Sequence, residues 1–64
     1  MKLQITFSDF TEGTYDSIEV AEKEILEYFG EGVLPEQIIE LDVDGNETDT
    51  VYACDWSVKL TKQG

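Results

Sequence analysis

One stretch of this chain, residues 16–30, carries its own signals for starting and stopping a helix, and the segments on either side of it read with the period of a strand. Asp16 stands as an N-cap, Glu19 three residues on completes a capping-box pattern, and Tyr15 and Val20 are placed to form a hydrophobic staple. The helix is expected from Ser17 to Phe29, closed by Gly30 as the left-handed residue after the cap and reinforced by Gly32 and Pro35. At 3.6 residues per turn, Ile18, Ala21, Ile25, Tyr28 and Phe29 gather on one side, and Glu19, Lys23, Glu24 and Glu27 on the other. Glu22 falls between Phe29 and Leu26 on the apolar arc, which leaves Leu26 and Val20 partly exposed.

Before the helix, Leu3, Ile5 and Phe7 alternate with Lys2, Gln4 and Thr6, a strand with one apolar face. Ser8 to Tyr15 reads as a polar loop with Gly13 available for a turn. After the helix, Gln37 to Val43 gives a second strand, with Ile39, Leu41 and Val43 facing the core and Ile38 breaking an otherwise polar face. Asp44, Gly45, Asn46 and Glu47 form a turn into a long third strand, from about Thr50 to Thr61, with Tyr52, Cys54, Trp56, Val58 and Leu60 inward. Val51, Ala53, Asp55, Ser57 and Lys59 make its mixed outer face. The expected fold is α+β in the order β-α-β-β. A right-handed crossover makes the first two strands parallel, the third inserts between them in sheet order 1-3-2, and the helix packs on one face.

A chain of 64 residues holds one domain, spanning 1–64. At this size folding buries only roughly 60% of the surface of the unfolded chain, so the core needs support. The single cysteine, Cys54, cannot form an internal disulfide, and the apolar content of 41% with seven aromatics in register opposes disorder. Homodimerisation through the mixed outer face is the expected support. No secretory or membrane-spanning segment is legible, so a cytoplasmic setting is expected, that of the host cell for a phage-encoded protein.

The residue types exclude much chemistry. With no histidine, and one thiol in an expected strand, nucleophile-base pairs cannot be assembled, so no catalytic residue and no enzyme activity is expected. Among fifteen carboxylates some pair always lies close, so proximity alone does not mark an acid-base pair. Gly30 and Gly32 follow the helix and cannot cradle a phosphate at its start. Asp42, Asp44, Asn46, Glu47 and Asp49 alternate oxygen ligands, but Gly45 and Cys54 fall where a calcium loop cannot use them, and a hairpin accounts for the run. No metal and no cofactor is expected. Cys54 reads as a small hydrophobe in a strand.

The charge points to a partner. Fifteen acids against four lysines give a formal charge of -11, more like charge than solubility requires and a repulsive term in folding. Direct nucleic-acid binding is opposed by that charge. Glu19, Glu22, Glu24 and Glu27, followed by Glu31, form a line of charge along the outer helix. The spacing of acids three or four residues apart is about 4.5 to 6 Å, comparable with the phosphate every 3.4 Å or so along one DNA strand. Only Lys23 interrupts them, where a merely solvated helix face would intersperse more cations. The expectation is an acidic DNA mimic that inhibits a host DNA-binding protein by occupying its basic site. Val20, Leu26, Tyr28 and Val33 are candidates for an apolar anchor beside the ridge. The competing expectation is a dimeric adaptor module whose acids serve solubility only.

The run Asp16, Ser17, Ile18, Glu19, Val20 resembles the acid-Ser-Ile-x-Leu motif of phage uracil-DNA glycosylase inhibitors, small acidic proteins that mimic DNA and enclose a protruding enzyme leucine in an apolar pocket. Here Asp stands where that family has Glu, and Val where it has Leu. The resemblance covers five residues and implies that Asp16 and Ser17 approach the enzyme's DNA-binding cleft, with Ile18 and Val20 in apolar support. It makes uracil-DNA glycosylase the first expected target. Anti-CRISPR proteins share the small, acidic character and are the alternative class.

Overall fold

The computed structural model describes residues 2–55 and 58–63. Its elements run β1 (Lys2–Phe7), β2 (Glu12–Tyr15), α1 (Ile18–Gly30), β3 (Pro35–Leu41), β4 (Glu47–Cys54) and β5 (Leu60–Gln63). The strands form one five-stranded sheet in the order β2-β1-β3-β4-β5, and every neighbouring pair is antiparallel. The α+β class and the single helix stand, whereas the three-stranded sheet of order 1-3-2 is wrong. Two hairpins account for the difference.

The first is β1–β2. The segment expected as a loop turns back at residues 8–11 and pairs Leu3 with Tyr15 and Ile5 with Gly13. That reversal means the strand feeding the helix is β2, not β1. The crossover therefore links β2 to β3, which run the same way on either side of β1, and β1 with β3 is antiparallel. The second is β4–β5. The expected long third strand stops at Cys54, reverses, and pairs Tyr52 with Lys62 and Cys54 with Leu60. Trp56, expected on its inward face, lies outside the described residues, as does Ser57.

The core lies between α1 and one face of the sheet. Leu3, Ile5 and Phe7 of β1 are wholly buried, as are Ala21 and Ile25 of the helix, because β1 is flanked on both sides and its apolar positions alternate with polar ones. Ile38 and Tyr52 complete the cluster, and Ile18, Tyr28 and Phe29 pack against it as the helical period requires. Phe7 and Tyr28 stack with ring centroids 3.9 Å apart. In β3 the face is opposite to that expected. Ile38 pairs with Ile5 and enters the core, Ile39 and Leu41 lie on the other face of the sheet, and Val43 is 92% exposed beyond the strand.

Both helix ends shift by a residue or two from their expected positions. Ser17 is the N-cap, its hydroxyl accepting from the Val20 N–H at 3.2 Å, while Asp16 lies 3.8 Å from the Lys2 ammonium. Glu19 then sits one position short of the capping-box site. At the other end Gly30 is the last helical residue and Gly32 takes the left-handed conformation, φ +81°. Val33 N–H donates to the Tyr28 carbonyl at 2.9 Å and Gly32 N–H to that of Phe29 at 3.1 Å, the two bonds of a Schellman motif.

Three hairpins share one closing pattern of hydrogen bonds. In each, the first residue donates its N–H to the carbonyl four residues on and accepts from the N–H three residues on. The donor-acceptor sets are Phe7, Phe10 and Thr11; Asp42, Gly45 and Asn46; and Asp55, Val58 and Lys59. The third residue after the start is left-handed in all three: Phe10 at φ 70°, Gly45 at 86°, Val58 at 60°. These bonds close a three-residue hairpin loop, whose left-handed position ordinarily falls to glycine.

Candidate acidic partner surface

The helix carries its acids away from the core. Glu19, Glu27 and Glu31 are exposed, and Glu22 and Glu24 are half-buried at the two flanks where α1 meets the sheet. The flanks differ in what they face. Glu24 lies toward β2, where burial, then the Glu24 carboxylate, then Tyr28 push the Tyr15 phenol up. Glu22 lies toward β4, where burial, then Asp55, then Glu22 push the Cys54 thiol up. Glu22 thus straddles the edge of the apolar stripe, as its helical angle requires.

Asp16 and Ser17 stand at the start of this ridge, but they are not equivalent. The Ser17 hydroxyl is occupied in capping the helix, while the Asp16 carboxylate is exposed beside Lys2. Ile18 packs against the core, and Val20 and Leu26 are 47% and 59% exposed on the helix surface. The other two apolar candidates, Tyr28 and Val33, are half-buried against the core.

Acids also gather at both ends of the sheet. At the helix-start end, Asp42, Asp44, Glu47 and Asp49 surround the β3–β4 hairpin, and Asp42 Oδ1 accepts from the N–H groups of Asp44 and Asn46 at 2.9 and 3.0 Å. That carboxylate is engaged in the turn, as the hairpin reading of the run requires. No group of three or more acids or thiols among the described residues is arranged to hold a metal ion. At the opposite end, Asp9 Oδ1 accepts from the Thr11 hydroxyl at 2.6 Å and from its N–H at 3.1 Å. These bonds hold its carboxyl below the usual carboxylate value.

Sequence reading missed one part of this surface. Phe10, at the tip of the β1–β2 hairpin, is 90% exposed, and Leu34, just before β3, is 52% exposed. Leu34 is tied to the same hairpin through Ser8, whose N–H donates to the Leu34 carbonyl at 2.8 Å and whose hydroxyl accepts from the Leu34 N–H at 3.1 Å. Leu34 also borders a cleft of about 380 Å³ lined by Phe29, Pro35, Glu36, Ile38, Cys54 and Asp55. The signal was present as an aromatic inside a polar segment, but its exposure depends on a hairpin that the segment's composition did not announce.

No helix among the described residues is long and apolar enough to cross a membrane. In comparisons with protein-family models, curated proteins and solved structures, the chain matches none of them.

Proposed function

We propose that this protein is an acidic DNA mimic, which inhibits a DNA-binding protein by occupying its basic nucleic-acid site. The observation that carries the reading is the helix ridge. Glu19, Glu22, Glu24, Glu27 and Glu31 fall within about 18 Å of helix axis at 1.5 Å per residue, with Lys23 the one cation among them. The whole chain supports it. A formal charge of -11 along a longest extent of 32 Å amounts to about one charge per 3 Å of length, close to the roughly 3.4 Å per phosphate of a single DNA strand. Such a surface gains affinity by releasing counterions from a basic groove and by steering encounter over long range.

Uracil-DNA glycosylase is the first target to assay, on the resemblance of Asp16–Val20, and a CRISPR effector the second. Inhibition is expected to weaken steeply with salt and to be relieved by duplex DNA. Reversing Glu19, Glu24 and Glu27 to lysine together separates this reading from the adaptor one. Inhibition lost with an unchanged circular-dichroism spectrum supports mimicry. Full inhibition by the triple variant, or affinity indifferent to salt, would reduce the ridge to a solubility device.

A further inference from the structure

The three hairpins closed by the same bonds provide an internal comparison. Gly45 occupies the left-handed position at no steric cost, whereas Phe10 and Val58 hold side chains in a conformation that L residues avoid. For Val58 the fold supplies a reason, since its side chain packs against the core cluster. Phe10 has no such return. It is 90% exposed, so its ring contributes little apolar burial to the fold while occupying a position suited to glycine or asparagine. An unfavourable backbone at an exposed aromatic points to a use outside the fold.

The surroundings state the chemistry of what would cover it. Asp9 and Glu12 lie on the same hairpin, Leu34 is held beside it through Ser8, and Glu31 and Glu36 flank Leu34 along the chain. We infer that Phe10, supported by Leu34, is the apolar anchor of the partner interface, inserting into an apolar pocket rimmed by lysine and arginine on a basic protein. The inference rests on the DNA-mimic reading for the partner's charge, and it moves the anchor from Val20 and Leu26 on the helix to the opposite end of the β1–β2 hairpin from the helix start. Charge alone discriminates poorly among basic proteins; one buried aromatic on an acidic hairpin adds selectivity.

The test uses the full chain, its Phe10→Asn and Phe10→Gly variants, and two probes: oligolysine, and a short peptide of lysine and leucine. The lysine-leucine peptide is expected to shift the amide resonances of Asp9, Phe10, Thr11 and Leu34, and Phe10→Asn to weaken it tenfold or more. Oligolysine affinity is expected to be unchanged by either variant. Both variants are expected to melt at the same temperature as the parent or a few degrees higher, because each relieves the left-handed backbone. A clear fall in melting temperature for both would make Phe10 a structural residue and overturn the inference. So would shifts centred on Val20 and Leu26, or sedimentation showing a dimer that Phe10→Asn dissociates, while mimicry itself survived. Failure of both probes to bind in a salt-dependent manner would remove the DNA-mimic reading and this inference together.

Discussion

Replacing Glu31 by lysine is expected to strengthen the fold and weaken the complex, and the two effects can be estimated separately. Glu31 is the C-cap of α1, its N–H donating to the Tyr28 carbonyl at 3.0 Å, and no basic residue occupies the last turn. An acid there meets the negative end of the helix dipole, a cost of about 0.3–1 kcal/mol that a lysine converts into a similar gain. Glu27 stands four residues earlier, so a repulsive pair worth about 0.2–0.5 kcal/mol becomes an attractive one in the favoured orientation. Together these changes reach about 1–3 kcal/mol at low ionic strength, and the lower end applies because Glu31 is exposed. For a domain of this size, about 1 kcal/mol raises the melting temperature by roughly 4–8 °C. The assay is thermal unfolding followed by circular dichroism at low salt and again at high salt, where the gain must shrink. A melting temperature unchanged or lowered at low salt would refute the helix-end argument. If the same variant loses inhibition of its target, an acid that opposes folding is there for the partner.

Three further outcomes are expected. Ile25→Ala removes a wholly buried side chain at about 2–5 kcal/mol, against a total of about 3–10 kcal/mol for a chain of this length, so urea titration is expected to find it largely unfolded or barely stable. Gly13→Ala places a Cβ within 2.6 Å of Tyr15 Cζ, so the ring over the β1–β2 pair must move; chemical denaturation is expected to show a loss of about 1–3 kcal/mol. Burial, followed by the hydrogen bond to and the charge of Glu40, pushes the Tyr52 phenol above its usual value of 10.0. The neutral phenol is therefore favoured in the fold, its contribution is complete below pH 10, and it is lost as pH rises through the folded value. Urea unfolding between pH 9 and 11 is expected to show that decline, smaller in Tyr52→Phe.

The parts of the fold legible in the sequence were those where a periodic pattern and a local signal agreed. The β1 alternation, the apolar side of α1 and the turn at Gly45 all met that condition. The strand β2 did not. It has four residues, EGTY, at a sheet edge, and the inward position before Tyr15 is Gly13, so no apolar alternation exists to detect. The β4–β5 turn was hidden for a different reason. Its left-handed residue is Val58, a residue whose preferences describe a strand interior, so the sequence reads straight through the reversal. In β3, Ile38, Ile39 and Leu41 put apolar side chains on both faces, and only the pairing of Ile38 with Ile5 decides which enters the core. The exposure of Glu19, Glu27 and Glu31 was legible because it follows from the helical period, whereas Glu22 and Glu24 fall half-buried at the two flanks. Phe10 was not legible, because its prominence is a property of the hairpin that carries it.

The arrangement β2-β1-β3-β4-β5 also governs the order in which this chain can assemble. Three of the four strand pairings join neighbours through short turns, and each can close within its own segment on the microsecond scale of hairpins. The exception is the seam of β1 with β3, which brings Phe7 to Pro35 and Lys2 to Leu41 across the β2 strand and the whole helix. That seam carries the loop-closure entropy of the fold. It also joins Ile5 to Ile38, two residues of the core cluster, so its closure seats the helix and completes the core in one step. Strand β1 therefore waits beside β2 until the residues of the central strand β3 have been made, and the kinetic bottleneck of this small domain lies in its middle.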